Sequence, residues 1–308
     1  MDKESVFARI ASNTNLPTPP MVTLRVLERA NQPDCTIQEI GKLISHDPGL
    51  CGKMLKLVNS SLFGLQRSVT SIDRALNLLG LKHVRSLVLS LTLPSLKFRK
   101  ASTQQMLTYW KGSITRAIIC REMAQRLKWP DADSEMVAGL LSDIGVLILQ
   151  ETFPDKFALV AEKTIEEQMR DPCALEEAMI GVDHAEAGAF LLERWRLPED
   201  LTQAIRWHHA HVSAPPSAQK RAQLLYLADR LAHMYCLENP AILLSEVGQA
   251  AQELFGMNDE ALRTFLEPLQ AKIGEFASLI DVKMQPTEAF ADLFTTATEN
   301  LTKLAVEA

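Results

Sequence analysis

The stretch Ile44 to Gly64, ISHDPGLCGKMLKLVNSSLFG, decides the fold class. Asp47 followed by Pro48 is a helix start: a short acid accepts from the free amides of the first turn, and proline at the first helical position lacks a donor that would go unused there. Leu50, Met54, Leu57 and Val58 then recur at helical spacing. Asn59-Ser60-Ser61 ends the stripe, and Gly64 offers the left-handed residue of a tight exit. The proline after His46-Asp47 makes that dipeptide a cap, not a pair of metal ligands.

The same grammar continues outward. Ile37, Ile40, Leu43 and Ile44 form a stripe upstream, and further starts stand at Ser71-Ile72-Asp73, near Ser102, at Asp131 to Ser134, at Asp183, at Pro198-Glu199 and at Pro216-Ser217. Leu79-Gly80-Leu81 marks a bend or a close helix contact. No run sustains period-two alternation, so the chain is expected to be all-α, with more than about ten helices. No fixed-period repeat is visible, which argues against a solenoid. Connections such as Lys128 to Asp131 and Pro215 to Ser217 are short, and none isolates a domain.

Composition narrows the class. The chain has 308 residues, 47% of them apolar and 23% charged, enough for a large core and unlike a disordered chain. Its longest apolar stretch, Leu87 to Leu96, is interrupted by Ser90, Thr92, Pro94 and Ser95 and falls short of the roughly 20 residues that span a bilayer. The opening MDKESVFARI puts charges where a secretory signal needs apolar residues, so a cytoplasmic protein is expected. Five cysteines, at 35, 51, 120, 173 and 236, show no C-x-x-C spacing and are expected to be buried thiols. From Cys51 to Pro130 there are 14 Lys and Arg against Asp73 and Glu122, a balance of +12 within a chain of net charge −6. The excess suits an anionic partner, or the docking of one half of the molecule on the other.

The second half places acids and histidines in order: Asp143 in GLLSDIG, His184 in GVDHAEAG, His208-His209 in AIRWHH and Asp229 in LYLADR. Four successive helices are expected to supply them from apolar faces, and buried ionisable groups need partners or a metal. At these residues the chain resembles the HDOD family, the HD-related output domain, a relative of the HD and HD-GYP phosphohydrolases. The resemblance covers roughly residues 12 to 238 and includes LPTPPMVTLRVL from Leu16, ISHDPGLCGKMLKLVNSSLFG from Ile44, SIDRALNLLGLKHVRSLVLS from Ser71, YWKGSITRA, WRLPEDLTQAIRWHH and LYLADRLA. It implies an N-terminal helical subdomain over 1–100 packed on an HD-like bundle over 101–238, with a helical extension over 239–308.

Active HD enzymes hold metal with a first His, a His-Asp dipeptide and a later Asp, and HD-GYP enzymes add histidines between them. Carried over, Asp143, His184, His208 or His209, and Asp229 stand at ligand positions. The first His falls on Gly112, or on Ser113 one residue away, and the His of the dipeptide is Ser142. Neither glycine nor serine offers an imidazole nitrogen, so the resemblance implies a vestigial site with no catalytic residues, no cofactor and no metal. A buried network of carboxylates and imidazoles is its expected remnant.

The expected function is a non-catalytic signalling output module that binds a protein partner. Its candidate surface is the groove lined by Lys53, Lys56, Arg67, Arg74, Lys82 and Arg85, with room for a small effector. The alternative is a residual metal-dependent phosphohydrolase acting on nucleotides or cyclic dinucleotides. Nucleic-acid binding is not expected, because no reading helix or aromatic platform accompanies the basic segment. The acidic segment 239–308, with 11 acids and four bases, caps the bundle or forms a homodimer contact.

Overall fold

The computed structural model describes residues 1–30, 32–65, 68–166, 171–236 and 241–283, and its regular elements are all helical. After α1 (Lys3–Ser12) come α2 (Met21–Ala30), α3 (Ile37–Ser45), α4 (Pro48–Val58), α5 (Ile72–Leu79) and α6 (Leu81–Thr92). The central part holds α7 (Thr103–Arg126), α8 (Ala132–Leu141), α9 (Ile144–Thr152), α10 (Pro154–Glu166), α11 (Cys173–Met179), α12 (His184–Arg194), α13 (Glu199–Arg206) and α14 (Pro216–Cys236). The last described helices are α15 (Ala241–Phe255), α16 (Asp259–Leu266) and α17 (Leu269–Leu279). None of the described helices is long and apolar enough to cross a membrane.

Local chemistry sets these boundaries. Asp47 accepts from the amide of Leu50 at 3.0 Å and starts α4 as a cap, while the imidazole of the preceding His46 turns back to the carbonyl of Lys42. Ser71, Ser102, Asp131 and Asp183 cap α5, α7, α8 and α12 in the same way, and Gln105 completes a capping box with Ser102. The exits at Gly64 and Gly80 are left-handed, with φ of 57° and 77°.

Helices α2 to α6 pack on one another, and α6 lies against α8. The 24-residue α7 is the axis of the second group, flanked by α8, α14 and α17 and burying Trp110, Ile114, Ile118 and Met123. Two packings join parts of the chain that are distant in sequence. Helix α1 sits on α9 and α12, where Phe7 stacks on Phe190 at 4.7 Å and Lys3 pairs with Glu186. Helix α17 reaches both groups: Lys53 pairs with Asp281 at 2.9 Å, the Ser61 amide donates to Glu275, and Lys272 pairs with Glu122. Among the described cysteines only Cys120 is fully buried; Cys35, Cys51 and Cys173 are half-buried at helix ends and turns, which corrects the expectation of buried thiols. Cys236 is the last residue of α14, and its side chain lies outside the described residues.

Candidate functional site

The ordered acids and histidines of the second half do converge, but mostly from helix ends rather than helix faces. Asp143 occupies the junction between α8 and α9, with Ser142 closing α8; His184 is the first residue of α12; His208 and His209 lie in the turn after α13; only Asp229 projects from within a helix, α14. Terminal positions free the side chains from the helical ladder, which lets three helices aim at one point. The close approach of α9 and α12 fixes the geometry. A Cβ on Gly145 would lie 1.7 Å from the carbonyl oxygen of His184, so only glycine lets the two helix starts meet.

One half of the cluster is built from carboxylates. Asp143 and Asp229 are bridged by the guanidinium of Arg116, at 2.7 Å from Asp143 Oδ2 and 3.2 Å from Asp229 Oδ1. All three are buried or nearly so. Burial alone would raise both acids, but Arg116 holds the Asp143 carboxyl well below the usual range, and His233, 3.2 Å from Asp229, joins Arg116 in doing the same for Asp229. Arg116 lies one helical turn beyond Gly112 on α7, and a Cβ on Gly112 would stand 3.4 Å from Arg116 Nη1. An imidazole at 112 and a guanidinium from 116 therefore compete for the same space. Ser142 is buried and donates to the carbonyl of Gly139 at 3.2 Å, away from any ligand role.

The other half is built from imidazoles. His184 Nδ1 lies 2.7 Å from Glu176 Oε2, which also accepts from the His184 amide at 2.8 Å. His209 Nδ1 lies 3.1 Å from Asp171 Oδ2, and His208 Nδ1 lies 2.6 Å from the carbonyl of Ile205. Their Nε2 atoms face inward: those of His184 and His209 are 2.9 Å apart, and that of His208 is 3.4 Å from Asp143 Oδ1. Against the cost of burial, Glu176 holds the His184 imidazole well above its ordinary pKa, whereas burial and the neighbouring His208 push His209 down to about 4. Cys173 Sγ lies 3.9 Å from His184 Nδ1, and burial pushes this thiol up against the opposing pull of His184.

A metal of the HD type would need the carboxylate half, and the residues there do not fit it. The site between Asp143 and Asp229 already holds a cation, and the two positions that would supply imidazoles are Gly112 and Ser142. The histidine half does offer donors of the right chemistry, one ligand atom each from Asp143, His184, His208 and His209 within 4.8 Å of one another.

Sequence reasoning brought Asp143, His184, His208, His209 and Asp229 to one region but missed the partners that organise them. Arg116 counted only as one charge of a basic segment, although its i+4 spacing from Gly112 was a signal. Glu176 and Asp171 carried no motif. Of the basic candidates, Lys53 is engaged with Asp281; Lys56 and Arg74 are exposed on α4 and α5; Arg85 is half-buried on α6. Arg67 and the side chain of Lys82 lie outside the described residues.

Beside Arg116 opens a cleft of about 350 Å³, lined by Tyr109, Gly112, Asp143, Leu147, Phe157 and His233 among others. Solved structures share this architecture. An HDOD domain protein from Geobacter sulfurreducens is 25% identical, with a TM-score of 0.69 over 91% of this chain and 98% of that one. A candidate phosphohydrolase from Shewanella amazonensis is 26% identical, with a TM-score of 0.69 over 90% and 97%. In sequence, an uncharacterised protein of Treponema pallidum is 26% identical over 83% of this chain and 49% of its own length, and YuxH of Bacillus subtilis is 27% identical over 46% and 34%. The chain thus spans half or less of the curated relatives it matches. The profile of the HDOD domain matches residues 16–211, and with the shared fold this places the chain in the HDOD domain family.

Proposed function

We propose that this protein is a non-catalytic regulatory module that transmits a signal by binding a protein partner. The observation that carries the reading is the guanidinium of Arg116 between Asp143 and Asp229, where an HD hydrolase would need a metal and its activated water. A fixed organic cation neutralises the carboxylates but has no coordination position for water. The Shewanella relative named as a candidate phosphohydrolase supports the alternative, hydrolysis of nucleotides or cyclic dinucleotides, but Gly112 and Ser142 remove two imidazoles that chemistry would use.

The partner surface is assigned to the exposed bases of α4 and α5, centred on Lys56 and Arg74. Lys53 is a poorer choice than sequence suggested, because it is paired with Asp281. Exposed charges of one sign steer an acidic partner and act mainly on association rate. Reversing both in Lys56→Glu/Arg74→Glu should slow capture of the native partner about tenfold at 50 mM salt and by less than about threefold at 300 mM, with an unchanged melting temperature. Equal capture rates at low salt by folded parent and variant would remove this surface from the reading.

A further inference from the structure

We propose that the cleft beside Arg116 binds a small, uncharged aromatic ligand that carries an amide or lactam edge, and that Gln150 recognises that edge. The inference goes beyond the regulatory reading, to which it adds a chemical input, and does not depend on the partner surface.

The walls select a flat apolar body. Val146 and Leu147 of α9, Ala232 of α14, and the rings of Tyr109 and Phe157 line the space of about 350 Å³. A concave, largely apolar space of this size is where a small organic molecule loses most of its contact with water. Trp110 stands edge-on to Tyr109, with 5.1 Å between ring centres, and braces that wall. Gly112 adds no side chain on the α7 side, where a Cβ would already lie 3.4 Å from Arg116 Nη1.

Charge decides against an ionic ligand. The bases that line the cleft are Arg116 and His233, and both are turned to acids: Arg116 bridges Asp143 and Asp229, and His233 Nδ1 lies 3.2 Å from Asp229. Among the described residues no lysine lines it. A phosphate or carboxylate entering here would give up its water beside two carboxylates that already share the cations present. A cationic ligand would meet the guanidinium. A neutral molecule enters without either cost.

Recognition falls to Gln150. It lines the cleft at 9% exposure, and among the described residues its side-chain amide has no hydrogen-bond partner. A buried amide left in that state carries a cost that a complementary ligand removes. The side chain offers a carbonyl acceptor beside an N–H donor, and a carboxamide or lactam presents the same pair in reverse, so two parallel hydrogen bonds form. Gln105, at the mouth, is differently occupied: its carbonyl accepts from the amide of Ser102 at 2.8 Å. Gln150 is thus the buried polar group with capacity to spare, set among walls that accept a ring.

The test uses the full chain and two probes with the same edge, benzamide for an open carboxamide and 2-pyridone for a ring lactam, with benzoate as the charged analogue, all titrated by ligand-observed NMR. At least one amide probe should bind saturably, one per chain, with a Kd of about 1 mM as befits so small a fragment, and benzoate should bind at least about tenfold more weakly. Gln150→Leu keeps the bulk of the side chain, removes both hydrogen bonds and should weaken the amide probe about tenfold. Thr108→Trp, at an exposed position on the rim, should close the cleft and abolish the saturable phase with an unchanged melting temperature. Absence of saturable binding of both amide probes overturns the proposal. So does benzoate binding as tightly as the amides, which would make this an anion site read by Arg116. Undiminished binding by folded Gln150→Leu removes the amide from recognition, and undiminished binding by folded Thr108→Trp places the probe elsewhere; either result also overturns it. A protein that binds neither amide and still shows salt-dependent capture through Lys56 and Arg74 keeps the regulatory reading, and one that binds an amide without such capture keeps this site alone.

Discussion

Replacing Arg116 by Met keeps the length of the side chain and removes the charge shared by Asp143 and Asp229. In the folded protein Arg116 is 5% exposed and Asp229 2% exposed, so water does not take over the pairing. Each guanidinium contact, at 2.7 and 3.2 Å, is worth about 5–6 kcal/mol at an effective dielectric constant of about 20, much of it offset by desolvation. Breaking a buried pair by removing one partner costs about 3–5 kcal/mol, because the remaining charge stays buried and unmatched. For a chain of this size that corresponds to a fall in melting temperature of about 5–8 °C, measured with chelator present. Arg116→Met/Asp229→Asn removes one of the stranded acids and should recover about 2 kcal/mol of the loss, a coupling that a double-mutant cycle reads directly. A folded Arg116→Met protein that melts within about 1 °C of the parent would show that the guanidinium is not the cation that holds this half of the site together.

Three further outcomes follow from the packing. Gly145→Ala forces a methyl group into the backbone of His184 and should cost at least about 3 kcal/mol or prevent folding, read by thermal melting and circular dichroism. Asp47→Ala removes the cap of α4 and should cost about 1 kcal/mol without altering the spectrum of the folded protein. Asp133, buried against Arg121 at 2.9 Å and His83 at 3.1 Å, has its pKa lowered by these partners against the upward push of burial. Its contribution is therefore complete above the unfolded carboxylate value of about 3.9 and is lost as pH falls through the lower folded value. Asp133→Asn should destabilise by about 3 kcal/mol at pH 7, and the gap to the parent should close below about pH 4 in an acid-denaturation series; a gap independent of pH would contradict the assignment.

What was legible in the sequence was local or carried by motif. Asp47-Pro48, Ser71, Ser102, Asp131 and Asp183 start helices because their side chains meet amides three residues away, an interaction contained within the written string. Gly64 and Gly80 could be placed for the same reason. The convergence of Asp143 with the histidines came from their order along the chain. Their position at helix ends did not, because stripe counting continued the apolar faces through Ser142 and Trp207, where the chain in fact turns. Arg116 was hidden for a different reason: it looks like any base until a partner 113 residues away is known. Seating α1 on α9 and α12, and α17 on α4, likewise depends on complementarity between distant surfaces. The pairing of Lys53 with Asp281 is a small instance of the basic segment meeting the acidic C-terminal one inside the molecule.

On this reading the Arg116 guanidinium stands where an HD hydrolase keeps its metal. The decisive assay is opening of a cyclic dinucleotide to its linear form and release of p-nitrophenol from bis(p-nitrophenyl) phosphate, using protein supplied in turn with Mn²⁺, Fe²⁺ and Zn²⁺ beside an active HD enzyme as a positive control. Both reactions should run at the rate of the metal-containing buffer for every ion. Saturable turnover by the parent that disappears in folded Asp143→Asn would contradict it.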